Sequence, residues 1–252
     1  MSRLSNQICL AIPVYNEAPS IFNAIDEFLK NPNVYDLLII DDGSSDDTSK
    51  VLLALSKDRQ FELLTHEINI GYGAACQTAA KWAYRAGYEW IIFADSDLTN
   101  PVNEIIDLAL TLGSTSADVY KANRFGKVYG MRKVKGFRRI LSHLGSFIAN
   151  TFVGKSISDP TNGFRAVRTG SYSQFHLKSN DFSIILEEVT EYIRLGLKIE
   201  NFESVLGVRS ELQNPSSFRY SPILLFRYFH WTLKCFFFRI KNFLKLFLSQ
   251  MP

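Results

Sequence analysis

Two aspartates, Asp95 and Asp97, stand one residue apart where the apolar run of IIFADSDLTNP, residues 91–101, comes to an end. Like charges this close repel unless a metal ion, a basic side chain or water lies between them. Hard carboxylate oxygens suit Mg²⁺ or Mn²⁺, which keep several waters and share the phosphates of a substrate. On an extended strand the two side chains would point to opposite faces, so only a tight turn brings both round one point. Alternatively, Asp97 caps the following helix and Asp95 is solvated. Spacing alone leaves both readings open.

A second acidic pair, Asp41 and Asp42, ends the run YDLLIID and opens DDGSSDDT. Gly43 permits a positive-φ turn there, and Ser44 to Asp47 read as a capped loop. Acids at the tip of a buried strand need hydrogen-bond donors, which a nucleobase or ribose would supply. PVYNE, residues 13–17, adds Tyr15 to stack on a base and Glu17 to accept from base or ribose, although a lone tyrosine is often a rim residue.

These loops need a frame. ICLAI (8–12), YDLLIID (35–41), FELLTH (61–66), EWIIFAD (89–95) and ADVYKAN (117–123) read as strands. They alternate with helical patterns over 18–31, 44–58, 71–87 and 101–113. Pro101 is expected at the first helical position. Such units imply an α/β domain with a mainly parallel, Rossmann-like sheet flanked by helices. Ligands bind such sheets at the carboxyl ends of the strands. The loops PVYNEA, DDGSSDD, HEINIGYG and DSDLTNP should therefore converge on one cleft. Beyond residue 125 the pattern changes to a basic, amphipathic helix within 127–154, a turn-rich SDPTNGFRA with a short strand FRAVR, a helix over 183–197, and KIENFESVLGV as a strand pair or bulged strand.

Composition is that of a globular chain: 252 residues, 46% hydrophobic and 21% charged. A net charge of +3 is too small to imply nucleic acid. Three separated cysteines suggest neither a disulfide framework nor a zinc site, and fit a reducing compartment. The N-terminal apolar run is too short for a signal peptide, so the catalytic part is expected in the cytoplasm.

In order and spacing, IPVYNEA, IIDDGSSDDT, NIGYGAA, ADSDLTNP and SDPTNGFRA resemble the inverting family 2 glycosyltransferases, over roughly residues 8–220. The subgroup includes dolichol-phosphate mannosyltransferase and the bacterial undecaprenyl-phosphate sugar transferases. The resemblance implies a GT-A fold and metal-dependent transfer from a nucleotide sugar to a polyprenyl phosphate. It assigns Pro13, Tyr15, Glu17, Ile40, Asp41, Asp42 and Ser96 to nucleotide-sugar binding, and Asp95 and Asp97 to Mn²⁺ or Mg²⁺. The family often carries Gln where this chain has Thr99, whose shorter hydroxyl points to contact with the metal through a bridging water. Arg124 matches an arginine near the sugar diphosphate, and Arg138 and Ser142 in RRILS match residues holding an acceptor phosphate. Arg209 matches a diphosphate-binding arginine, but its loop RSELQNPSSFR lacks the usual glycine and lysine; Ser216, Ser217 and Arg219 are the candidates to fill in. A phosphate acceptor needs no general base. Were the acceptor a hydroxyl, Asp159 and Glu187 are candidates, against an Asx-type turn for Asp159 and a solvated helix face for Glu187 and Glu188.

Residues 221–252 are a separate, basic and aromatic segment, with Arg227, Lys234 and Lys241 seven residues apart. Its uncharged stretches fall short of the roughly 20 residues that span a bilayer. One or two amphipathic interfacial helices on anionic lipid are expected, peripheral to the cytoplasmic membrane face; packing on the catalytic domain or on a membrane-protein partner is the alternative. Rival functions are transfer to a sugar hydroxyl, and a non-catalytic nucleotide-sugar-binding membrane protein.

Overall fold

The computed structural model describes residues 7–124, 157–205 and 221–249. Strand β1 (Ile8–Val14) lies in the interior of a seven-stranded sheet, which suits side chains that are apolar on both faces. Ile8, Leu10, Ile12 and Val14 point into one apolar cluster, while the smaller Cys9 and Ala11 point into the other. Around it lie β2 (Asp36–Asp41), β3 (Glu62–Thr65), β4 (Trp90–Phe93), β5 (Val119–Asn123), β6 (Arg165–Arg168) and β7 (Ile199–Glu203) in the order β3-β2-β1-β4-β6-β5-β7. All pairings are parallel except those of β6, which runs antiparallel to β4 and β5.

Helices α1 (Ile21–Phe28), α2 (Thr48–Asp58) and α4 (Val102–Leu112) cover the first face through Ile25, Phe28, Leu52, Ile105 and Leu108. On the second face α3 (Tyr72–Arg85) presents Ala75, Cys76, Ala79, Ala80 and Ala83, a small-residue stripe that lies close to the sheet. The short α5 (Thr169–Tyr172) and α6 (Ile184–Leu195) complete that layer, and α7 (Pro222–Ser249) packs on α6.

Several expectations change. Pro101 is the N-cap, at φ −60° and ψ 134°, and the helix begins at Val102. Of KIENFESVLGV, the described part forms one strand over Ile199–Glu203, and residues 206–208 lie outside the described residues. The C-terminal segment forms a single helix, and it is not detached from the domain: Leu224, Thr232 and Cys235 are buried against it. Glu187 and Glu188 are interior rather than on a solvated face: Glu188 pairs with Arg165 of β6, and Glu187 accepts the Lys178 and Ser179 amides. The amphipathic helix expected within 127–154 lies outside the described residues.

Candidate active site

Past β4 the chain turns sharply. The Asp95 amide donates to Asn100 Oδ1 at 3.0 Å, and Leu98 adopts φ 51°, a left-handed conformation rare for a leucine. The Thr99 amide and hydroxyl donate to Asp97 Oδ1 at 3.0 and 2.6 Å. The chain leaves the extended conformation here, and the Asp97 carboxylate accepts from its own turn. Ser96 and Asp97 are buried and Asp95 is half-buried. Thr99 thus orients a carboxylate by donating to it. Among the described residues no group of three or more His, Cys, Asp or Glu side chains could hold a metal. Two carboxylates suit an ion that takes its remaining ligands from phosphate and water.

Arg124 stands just past β5, at the same edge of the sheet. Its Nε and one terminal nitrogen grip Asp159 at 2.6 and 3.0 Å, and the latter also reaches Thr161 Oγ1 at 3.1 Å. Burial works against its charge, but Asp159, with smaller contributions from Tyr228 and Asp95, raises its pKa above the ordinary arginine value. Asp159 is fully buried and also caps its own turn, accepting from Thr161 Oγ1 at 3.2 Å. Space beside Asp95 is tight: a side chain at Gly163 would come within 3.3 Å of the Tyr72 hydroxyl and 3.8 Å of Asp95 Oδ1.

The loops after β1, β2 and β3 are stitched together. Asn16, at φ 55°, receives the Ser45 amide on Oδ1 at 2.8 Å, and its own amide donates to Ser44 Oγ at 3.0 Å. The Glu17 amide donates to Thr48 Oγ1 at 2.8 Å, and the Glu17 carboxylate accepts from Ser20 Oγ at 2.9 Å. Gly43, at φ 65°, lies so close to Ile68 that a Cβ would fall 2.2 Å from its carbonyl carbon. Tyr15 is exposed and Pro13 half-buried. The donors sought for Asp41 and Asp42 come from the chain itself. Asp41 accepts from the Ser44 amide at 3.0 Å and from the Ser49 hydroxyl. Asp42 accepts from the Ile70 and Gly71 amides at 3.1 and 2.7 Å and contacts His66 Nδ1 at 2.7 Å, while His66 Nε2 meets Thr78 Oγ1 at 2.9 Å. Ile40 is wholly within the second core cluster, so it backs the loops rather than lining them.

Asp95, Ser96, Asp97 and Thr99, past β4, and Arg124, past β5, therefore lie at the same edge of the sheet as the β1–β3 loops. Arg138, Ser142, Arg209, Ser216, Ser217 and Arg219 lie outside the described residues. A cavity of about 520 Å³ lined by Tyr84, Tyr88, Glu89 and Arg168 is at the opposite edge of the sheet.

Sequence reasoning missed a buried polar layer beneath the turn. Arg165 and Glu188, both fully buried, form a two-pronged ion pair, and the Arg165 guanidinium lies 4.1 Å from the centre of the Phe93 ring. Arg165 also donates to the Gly163 carbonyl at 2.6 Å and to the Tyr72 hydroxyl at 3.4 Å. The signal was present: Lys121 and Arg165 interrupt apolar strands, and they pair directly across β5 and β6.

Lys121 donates to the Asn162 carbonyl. Burial, then the Arg165 charge, push its ammonium down to about 7. An unfolded lysine titrates near 10.4, so between about pH 7 and 10.4 the unfolded chain holds the extra proton and stability rises with pH. Below that window Lys121 imposes its full cost. Lys121→Met is expected to flatten this rise; parallel thermal-midpoint curves for wild type and variant from pH 7 to 10 would contradict it.

The glycosyl transferase family 2 model matches residues 9–175, more than half of the chain. An undecaprenyl-phosphate 4-deoxy-4-formamido-L-arabinose transferase of Yersinia enterocolitica is 29% identical over 168 residues, covering 64% of this chain and 49% of that protein. The protein of the same name from Yersinia pestis (strain Pestoides F) is 30% identical over 166 residues, with the same coverage. The chain spans about half the length of the curated relatives it matches. Among solved structures, glucosyl-3-phosphoglycerate synthase from Mycobacterium tuberculosis, in complex with Mn²⁺, UDP and glucosyl-3-phosphoglycerate, aligns with a TM-score of 0.60 at 21% identity, covering 91% of this chain and 80% of that one. The same synthase with Mg²⁺ and UDP gives 0.56 at 21%, covering 83% and 72%. At this identity the likeness is one of fold, and it is the GT-A fold expected from the motifs.

Proposed function

Because the chain belongs to glycosyl transferase family 2, we propose that it moves a sugar from a GDP- or UDP-sugar to a polyprenyl phosphate at the cytoplasmic face of a membrane. The observation that carries this reading is the placement of the Asp95–Asp97 turn and of Arg124 at the same edge of the sheet, past β4 and β5. A divalent ion held by the two aspartates would neutralise the leaving nucleoside diphosphate. Arg124, pre-oriented by Asp159, adds a fixed positive charge where negative charge develops, with no reorganisation at the moment of transfer. Thr99 keeps Asp97 in one orientation.

The two candidate bases bear on the acceptor class. A hydroxyl needs one, whereas a phosphate is already ionised near neutral pH. Asp159 is fully buried and committed to Arg124. Glu187 is buried and accepts the Lys178 and Ser179 amides at 2.8 and 2.7 Å. Neither is placed to take a proton from a substrate, which favours the phosphate. The matched relatives are named for undecaprenyl-phosphate transfer, in agreement.

Attachment to the membrane is assigned to α7. Among the described residues no helix is long and apolar enough to cross a membrane. The outward side of α7 nevertheless exposes Ile223, Phe226, Phe229 and Phe237 beside basic residues, as interfacial helices do. The test is a screen of radiolabelled GDP- and UDP-sugars against polyprenyl phosphate in vesicles, with Mn²⁺ or with a chelator. Label in the lipid phase that disappears on chelation is expected. Label appearing only in water-soluble glycan would reject the acceptor.

A further inference from the structure

Helix α7 has two faces with different partners. Outward lie Ile223, Phe226 and Phe237 with Lys234 and Lys241, all exposed. Inward, Arg227 pairs with Asp181, the Tyr228 hydroxyl donates to the Phe182 carbonyl at 3.3 Å, and Trp231 Nε1 donates to Ser179 Oγ at 3.2 Å. Three successive contacts thus fasten α7 to the short segment 179–182.

That segment touches the site from the other side. The Gly73 amide donates to the Asn180 carbonyl at 2.7 Å, and a Cβ at Gly71 would fall 2.3 Å from the same oxygen. This leaves room for nothing larger than glycine. The Phe182 ring stacks on Tyr72 with centroids 4.6 Å apart. Tyr72 reaches Arg165 and stands over Gly163, next to Asp95. A packed path therefore runs from α7 through 179–182 and Tyr72 to the metal-binding turn.

We propose that α7 is a positioning element of the donor site as well as an anchor. Its inward residues Tyr228 and Trp231 clamp segment 179–182, which holds Tyr72 beside Asp95, while its outward face takes an anionic lipid surface. The proposal rests on the transferase reading, because the donor site is the one assigned there. It makes the C-terminal segment part of the working unit rather than a removable tail.

The experiment compares inward and outward substitutions in the full chain. Tyr228→Phe and Trp231→Phe each remove one hydrogen-bond donor; Phe226→Ser with Phe229→Ser alters only exposed rings. Affinity for UDP and for GDP, each with Mn²⁺, is measured by calorimetry, binding to phosphatidylglycerol vesicles by sedimentation, and the Gly73 amide by hydrogen exchange. The inward variants should bind nucleotide about tenfold more weakly, the scale of one hydrogen bond. They should also exchange Gly73 faster and pellet as wild type does. The outward pair should lose vesicle binding and leave nucleotide affinity and Gly73 exchange unchanged. Inward variants with wild-type affinity and exchange, or an outward pair that shifts both equally, would overturn the proposal. A wild-type chain that binds neither nucleotide would instead sink the transferase reading, and Gly73 exchange would still report on the clamp. Should Trp231→Phe fold poorly, Tyr228→Phe, which lacks a single oxygen, carries the same comparison.

Discussion

Asp97→Ala is expected to abolish Mn²⁺-dependent transfer, with a loss of at least about 100-fold in kcat, the scale of removing one preorganised charge-stabilising group. Asp97 is buried at the turn after β4, its Oδ1 held by the amide and hydroxyl of Thr99. Alanine there removes one of two carboxylates available to an ion. Thr99→Val tests the orientation separately. It deletes the hydroxyl donor at 2.6 Å and keeps the amide, so a milder loss of about tenfold is expected, the lower range for a hydrogen bond to a charged group. Nucleotide binding with and without Mn²⁺, read beside the thermal midpoint, separates loss of metal from loss of fold. Full metal-dependent activity in Asp97→Ala would remove the aspartate pair from the mechanism.

Glu188→Ala should have the largest effect on stability, about 3–5 kcal/mol, because it strands the fully buried Arg165 charge. The Tyr172 and Tyr192 hydroxyls, which donate to Glu188 at 2.8 and 3.0 Å, lose their acceptor as well. Burial, then the Glu188 charge, raise both phenols well above the ordinary tyrosine value, so they remain donors. With total stabilities of domains near 5–15 kcal/mol, a loss of this size leaves much of the chain unfolded on warming. Replacing both partners, Arg165→Met with Glu188→Leu, removes two charges together and should recover most of that loss. Denaturant midpoints of the single and double variants decide it. A double variant no more stable than the single would mean that the tyrosines, not the charge, set the cost.

The legible part of the fold was local. Runs such as ICLAI and YDLLIID announce strands because residues apolar on both faces suit only a sheet covered on both sides. The strand-end position of Asp95, Asp97, Asp41 and Asp42 was legible for the same reason. Their partners were not. The donors to Asp42 sit 24 to 29 residues away, on His66, Ile70 and Gly71. Glu188 looked like solvated helix surface because its partners Arg165 and Tyr172 lie 23 and 16 residues away, on elements that no local pattern brings to α6.

The sequence alone determined the order of strands and helices, the acidic turn at 95–97 and the basic, aromatic character of α7. Those depend on alternation, turn chemistry and composition, which are written over a few residues. Tertiary structure decided which charges are paired. It joined Arg124 to Asp159 across 35 positions, Arg165 to Glu188 across 23, and Arg227 to Asp181 across 46. It also packed the apparent tail against α6. Burial makes the difference: a charge's partner and surroundings are set by chains brought together from a distance, and no local pattern specifies them.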